Sequence, residues 1–297
     1  MGRDRLVQHM QTSKLKHTPP LFSVIIPTTG DRQEMLYRAI ESVLEQKFKN
    51  YEIIIVAARN NLDLKHKIQK NKKIKIISSS YNLNASEARN LGSSKSNGMW
   101  VAFLDDDDYW DKKYLEFQAQ IIKSHKSDLL IGTLYKVDLS STVHKLSQKF
   151  SINDLYITNP GITGSNIIIN RKSFDLVGGF PTSLTVSQDK ALVINLLRMN
   201  FTYSIVTKAK AFNVEHNLVR LTNPSFQFKG YVEFYSYYRK FLDDSTEKLL
   251  LKKIVSYLKI NYIKIYRKQT ISNILNTMII LRYLLFFSIR IIKQKFK

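Results

Sequence analysis

Four consecutive carboxylates, Asp105-Asp106-Asp107-Asp108, follow the apolar run Trp100-Val101-Ala102-Phe103-Leu104 and precede Tyr109-Trp110. Carboxylates this close repel one another, and a cation placed between them relieves the conflict. A hard divalent ion with oxygen ligands, Mg²⁺ or Mn²⁺, commonly sits between such a carboxylate pair and substrate phosphates. The residues alone also allow a solvated acidic turn after an edge strand. Other chemistries are closed by composition: the 297 residues include no cysteine, which excludes disulfides, thiol catalysis and zinc-thiolate sites. The absence of cysteine fits a reducing compartment. A formal net charge of +22 points to a polyanionic partner, whether nucleic acid, an anionic membrane or phosphorylated substrates.

The elements that must hold the acidic cluster can be read from apolar periodicity. Leu21 to Ile26 reads as a buried strand closed by Pro27-Thr28-Thr29-Gly30, with Asp31 as N-cap of a helix carrying Met35, Leu36, Ala39, Ile40, Val43 and Leu44. Strands follow at Tyr51–Val56, Ile74–Ile77 and Met99–Leu104, separated by helices at Leu62–Gln69 and Asn84–Ser94. A helix is expected from Tyr109 to about residue 126, then an apolar stretch Leu129–Ile131 and a polar loop or insertion over 137–158. Ile167–Ile169 reads as a strand, Arg171–Val177 as a short helix ended by Gly178-Gly179, and Tyr203–Val214 as the last strand. Alternating strands and helices, with strands apolar throughout, predict an α/β fold with a mostly parallel sheet flanked by helices. Ligands on such sheets sit at the carboxyl ends of strands. Pro27-Thr28-Thr29, Ala57-Ala58-Arg59 and Asp105–Asp108 all occupy that position.

Four segments in this order resemble the family 2 glycosyltransferases of GT-A fold, particularly small bacterial enzymes of surface polysaccharide synthesis (O-antigen or capsule type). They are Ser23-Val24-Ile25-Ile26-Pro27-Thr28, Ala88-Arg89-Asn90-Leu91-Gly92, Phe103-Leu104-Asp105-Asp106-Asp107-Asp108-Tyr109-Trp110, and Val177-Gly178-Gly179-Phe180 followed by Asp189. The resemblance spans roughly Leu21 to Val219. It implies an inverting, metal-dependent hexosyltransferase using a nucleotide-diphosphate sugar, with UDP the expected nucleotide. In that reading Asp107 is the principal ligand of Mn²⁺ or Mg²⁺ with Asp108 as helper, and Asp105 faces the ribose or the sugar. Asp106 takes the variable position on the donor side. Pro27 and Thr28 line the nucleobase pocket, and Arg89 approaches the nucleotide or its diphosphate. Without the resemblance, Arg89 could equally be a helix-surface arginine. Asp189 matches the family's general base, although its place before an apolar helix also suits an N-cap. His216 and Arg220 fall where relatives often have a residue that reaches the metal or diphosphate. One departure concerns the acidic turn that many relatives carry after the second strand to pair with uracil. This chain has Ala57-Ala58-Arg59-Asn60 there, which leaves the nucleotide open and makes Arg59 a candidate substitute. No Gln-x-x-Arg-Trp element occurs, so transfer of one sugar rather than polymerisation is expected.

The flanks carry the remaining charge. Residues 1–20 are basic and polar without an apolar signal core, and read as a flexible arm before a catalytic domain at 21–219. Residues 220–297 read as a helical, basic, amphipathic extension. From Glu247 to Lys297 one acidic residue faces twelve Lys and Arg, with Leu249, Leu250, Ile254, Leu258, Tyr262 and Ile265 on one helix face. Met278–Ile292 is strongly apolar but contains Arg282 and Arg290, which argues against a true span. Apolar burial and attraction to anionic lipid would hold such a segment at the membrane interface. The expected placement is cytoplasmic, peripheral at the inner face of the membrane, beside a lipid-linked glycan acceptor. A nucleic-acid partner is not expected, because carboxylates oppose phosphate binding without a metal. A nucleotidyltransferase would need a glycine-rich basic loop after the first strand, where only Gly30 is found.

Overall fold

The apolar run after Leu21 becomes β1 (Phe22–Thr28), buried along nearly its whole length because it has a strand on either side. Its neighbours are β2 (Tyr51–Ala57) and β4 (Trp100–Phe103), both parallel to it, and β3 (Ile74–Ser78) continues parallel beyond β2. The computed structural model describes residues 18–58, 66–124, 127–137, 150–215 and 224–266.

The remaining strands are β5 (Tyr109–Trp110), β6 (Leu129–Val137), β7 (Ile167–Asn170) and β8 (Tyr203–Val214), giving one eight-stranded sheet in the order β3-β2-β1-β4-β7-β6-β8-β5. Beyond β4 the direction is no longer constant. β7 is antiparallel to both β4 and β6, β6 and β8 are parallel, and β5 is antiparallel to β8. The sheet is therefore mixed, with four of its seven pairings parallel and β7 and β5 running against the other six strands. A run such as Ile167-Ile168-Ile169 is apolar on both faces, so its sequence carries no sign of its direction.

Helix α1 (Gln33–Leu44) buries Leu36, Ala39, Ile40 and Val43, but its N-cap residue is Arg32, not Asp31. The charged segment after β2 yields a short α2 (His66–Gln69) among the described residues. Helix α3 (Ala85–Ser94) opens with a reciprocal capping box: the Asn84 side chain accepts from Glu87 N–H, and the Glu87 carboxylate accepts from Asn84 N–H. A Cβ at Gly92 would meet the side chains of Ile25 and of Val56, so α3 lies against β1 and β2 closer than any other residue would allow. The helix expected from Tyr109 starts only at Tyr114, as α4 (Tyr114–Ser124). Before it, Tyr109 pairs with and stacks on Phe212 at 4.8 Å, and the Trp110 indole N–H donates to the Ser165 carbonyl at 2.7 Å. Cross-strand aromatic pairing overrides the helical pattern there. Helix α6 (Arg171–Leu176) runs out into Gly178 and Gly179, both at positive φ, as the glycine pair suggested.

The described residues of 1–143, 164–176 and 201–214 form one compact unit, which contains the whole sheet. Those of 144–163, 177–200 and 215–297 form a second. This second unit is helical: α5 (Ile152–Ile157), α7 (Gln188–Arg198), α8 (Pro224–Tyr238) and α9 (Asp244–Tyr266). α9 packs on α8 and α5, and α5 packs on α7. On α9, Leu250, Leu251 and Ile254 are buried, while Leu249, expected on the same face, is exposed. Among the described residues no helix is long and apolar enough to cross a membrane. Residues 278–292 lie outside the described residues.

Candidate active site

The four carboxylates form a tight turn between β4 and β5. Leu104 N–H still bonds to the Ile25 carbonyl at 3.0 Å, and the turn is closed by Asp108 N–H to the Asp105 carbonyl at 3.1 Å. Asp105 N–H is held by the Ser165 hydroxyl at 3.1 Å. The chain thus leaves the sheet at a fixed point, and the four side chains diverge to different partners.

Asp106 turns inward. Its Oδ2 accepts from the Thr28 hydroxyl at 2.6 Å and its Oδ1 from Arg32 at 2.5 Å. Burial pushes its carboxyl up to about 6, with Asp107 and Asp105 adding to the rise and Arg32 and Thr28 opposing it. Asp106, in the variable position of the motif, thus fixes Thr28 and Arg32. Arg32 also donates to Asp107 Oδ2 at 2.7 Å, and Arg38 donates to the Asp107 carbonyl at 2.6 Å. Asp108 is fully buried. It accepts from Ser165 at 2.5 Å, Asn213 at 2.9 Å and Val214 N–H at 3.3 Å. Burial, then the Asp107 and Asp105 charges, push its carboxyl up to about 8. Asp105 accepts from Arg89 at 2.5 Å. Arg89 itself is buried on α3, so it is no surface arginine. A Cβ at Gly164 would come within 2.8 Å of the Arg89 guanidinium and 3.1 Å of the Asp105 carboxylate, so glycine leaves that pair its room.

One oxygen each from Asp105, Asp107 and Asp108 can be chosen so that all lie within 4.8 Å of one another. Three oxygen donors so close suit a hard divalent cation, so the residues fit the Mn²⁺ or Mg²⁺ expected from the sequence. The structure thus gathers Thr28, Arg89 and all four aspartates in the first unit, with Pro27 one residue before Thr28 on β1. It adds Arg32, Arg38, Gly164, Ser165 and Asn213. Arg32 follows Gly30-Asp31 in the turn after β1, and a cation at that position was the one available signal. Asp189 belongs to the second unit, as the second residue of α7. The N-cap of α7 is Ser187, so Asp189 is not the cap. Arg59, His216 and Arg220 lie outside the described residues.

This arrangement, an α/β unit with an acidic turn at the end of a central strand, can be set against known proteins. The model of "Glycosyl transferase family 2" matches residues 23–180, more than half of the chain. The chain belongs to glycosyl transferase family 2. The matched residues include the acidic turn and all of β1 but its first residue. Among its relatives in the family is the Escherichia coli UDP-Glc:alpha-D-GlcNAc-diphosphoundecaprenol beta-1,3-glucosyltransferase WfgD, 26% identical over 184 residues, covering 61% of this chain and 71% of that protein. WfaP of Escherichia coli, named for the same reaction, is 34% identical over 109 residues, covering 36% and 43%. Staphylococcus aureus TarS, residues 1–349 in complex with UDP-GlcNAc, shares the fold with a TM-score of 0.61 at 17% identity, covering 80% of this chain and 72% of that one.

Proposed function

We propose that this family 2 glycosyltransferase moves one sugar, with inversion, from a nucleotide-diphosphate sugar to a hydroxyl of a lipid-linked glycan in bacterial surface polysaccharide synthesis. The observation that carries the reading is the acidic turn with Arg89 buried against Asp105 at 2.5 Å, inside the region matched by the family. Asp107, Asp105 and Asp108 would hold the divalent ion, which supplies Lewis-acid stabilisation of the diphosphate leaving group. Arg89 brings a fixed positive charge to the same place, and Pro27 and Thr28 flank the nucleotide. Asp189 takes the proton from the acceptor hydroxyl as its oxygen attacks the anomeric carbon. The bond from that carbon to the diphosphate breaks and the nucleoside diphosphate departs. The names of WfgD and WfaP, which act on a sugar carried by diphosphoundecaprenol, support a lipid-linked acceptor and UDP-glucose as the first donor to try. An acceptor of that kind places the enzyme at the surface of the membrane.

The test is a thermal-shift and calorimetric screen of nucleotide sugars with Mn²⁺, followed by Asp107→Asn. The expected result is stabilisation by one nucleotide sugar that depends on the ion and is lost in the variant. Stabilisation by none of the panel would overturn the reading.

A further inference from the structure

The second unit contains a buried lysine for which the proposed reaction has no use. Lys190, on the first turn of α7, is 1% exposed. Its Nζ lies 4.2 Å from the Phe234 ring centre and 5.6 Å from that of Tyr231, both on α8. A second lysine, Lys253 of α9, lies 4.8 Å from the same Tyr231 ring and donates to the Ile157 carbonyl at 2.7 Å. Tyr257 stacks on Tyr231 at 5.2 Å, and the Tyr231 phenol faces the hydroxyls of Tyr257 and Ser187.

Among the described residues neither lysine has a carboxylate partner. Four acids of this unit are engaged elsewhere. Glu233 accepts from Thr185, Glu247 accepts from the Tyr235 hydroxyl, Asp243 receives Ser245 and Thr246, and Asp154 receives Ser151. Asp189 precedes Lys190 on α7, ~100° round the helix. A buried ammonium without an anion is costly, and a second one nearby adds repulsion. Cation–π contacts return only ~0.5–2 kcal/mol each. Ser187 adds a second sign. It sits at the N-cap of α7 in the left-handed conformation (φ 60), yet its hydroxyl does not cap the helix. A non-glycine residue held there costs on the order of 1–3 kcal/mol and marks a segment constrained for some other purpose. The start of α7 is left without a side-chain cap, and helix starts attract anions.

We propose that Lys190 and Lys253, with Ser187, Tyr231 and Tyr257 beside the uncapped start of α7, form a binding site for a phosphoryl anion. Two ammonium groups and three hydroxyls match the several acceptor oxygens of a phosphate or diphosphate better than the two of a carboxylate. Burial, with the charge of Lys253, lowers Lys190 to about 7, and a bound anion would hold it protonated. The identity of that anion rests on the function proposed above: it is the phosphate of the acceptor, anchored one residue along α7 from Asp189, so that the attached sugar presents its hydroxyl to the base.

The experiment is calorimetric titration of the full chain, in EDTA at pH 7, with inorganic pyrophosphate and with farnesyl diphosphate as a short lipid-linked probe. Wild type is compared with Lys190→Met and Lys253→Met, which keep the aliphatic stems. Nucleotide-sugar binding with Mn²⁺ serves as the control for an intact fold. Each variant is expected to weaken pyrophosphate at least tenfold and leave the control unchanged. Tighter binding of farnesyl diphosphate, lost in the same variants, assigns the site to a lipid-linked acceptor. Equal binding of the two probes assigns it to soluble phosphates. No binding by wild type, or equal binding by all three proteins, overturns the site. Lysine-dependent pyrophosphate binding without any nucleotide-sugar binding would leave the anion site standing while removing the glycosyltransferase reading.

Discussion

Arg32 changes the electrostatic argument for the acidic turn. Four adjacent carboxylates look untenable without a metal, but burial and the Asp107 and Asp105 charges raise the Asp108 carboxyl, so it gives up its proton less readily than a free carboxylate. Arg32 pairs with Asp106 and Asp107, and Arg89 with Asp105. The turn is thus partly balanced by its own residues, and a divalent ion must compete with Arg32 for Asp107. Arg32→Gln is therefore expected to tighten Mn²⁺ binding about tenfold, an effect of ~1.4 kcal/mol, measured by electron paramagnetic resonance of free Mn²⁺. Unchanged affinity would show that Arg32 does not guard the ligand. Asp189→Asn tests the other half of the chemistry. Transfer is expected to fall by ~10²–10⁴, the usual contribution of a general base, while calorimetric donor binding stays within twofold. Equal loss of donor binding would make Asp189 structural. The aspartates and Arg89 were legible because residue type and order advertise them. Arg32 offered only its place as a cation in the turn after β1, and Ser165 and Asn213 offered nothing, because they reach the cluster through folding over separations of 57 and 105 residues.

At the scale of elements, two packing decisions position these groups. The first is Gly92, where α3 meets β1 and β2 and so carries Arg89 to the end of the sheet. Gly92→Ala forces its methyl against Ile25 and Val56, the latter at 2.9 Å. Overpacking of this kind typically costs ~1–3 kcal/mol, so urea unfolding should show a loss of that size, with donor affinity falling alongside it as α3 lifts. The second is the burial of Lys190 on α7. Burial, with the Lys253 charge, lowers its folded pKa to about 7, against the usual 10.5. Below pH 7 both states are charged and the full burial penalty opposes folding. Between about 7 and 10.5 the folded state binds fewer protons than the unfolded state, so stability rises with pH. Lys190→Met should therefore exceed wild type in stability by ~1–4 kcal/mol at pH 6, with the gain shrinking toward pH 9 in parallel unfolding titrations. Helices such as α1 and α3 and the strands β1, β2, β4 and β8 could be read from the sequence, since apolar period decides them. The antiparallel entry of β7 and the β5 pairing of Tyr109-Trp110 could not, since partner and direction are set by tertiary contacts that leave the apolar pattern unchanged.

For the whole molecule the question is where a net charge of +22 acts. The helical unit has a true core, with Phe234, Tyr238, Leu250 and Ile254 buried, so part of the segment that looked like a membrane anchor in sequence is engaged in packing. Cutting the chain at Glu247 would remove Leu250, Leu251 and Ile254 from that core, and the resulting loss would report unfolding instead of membrane release. The informative cut falls after Tyr266. Residues 267–297 contain seven Lys and Arg and no Asp or Glu, so their removal lowers the formal charge from +22 to +15 without touching α9. If those residues meet an anionic bilayer, each basic group near the surface contributes ~1 kcal/mol, and their loss should reduce partition onto phosphatidylglycerol vesicles by more than a hundredfold in flotation assays. Intact protein in 0.5 M salt should behave similarly, since screening shortens the electrostatic reach to a few ångströms. Nucleotide-sugar binding with Mn²⁺ should survive the cut. Persistent vesicle binding by the truncated chain would move the membrane contact onto the helical unit itself, where Tyr237, Phe241 and Leu249 are exposed beside Arg239, Lys240 and Lys248.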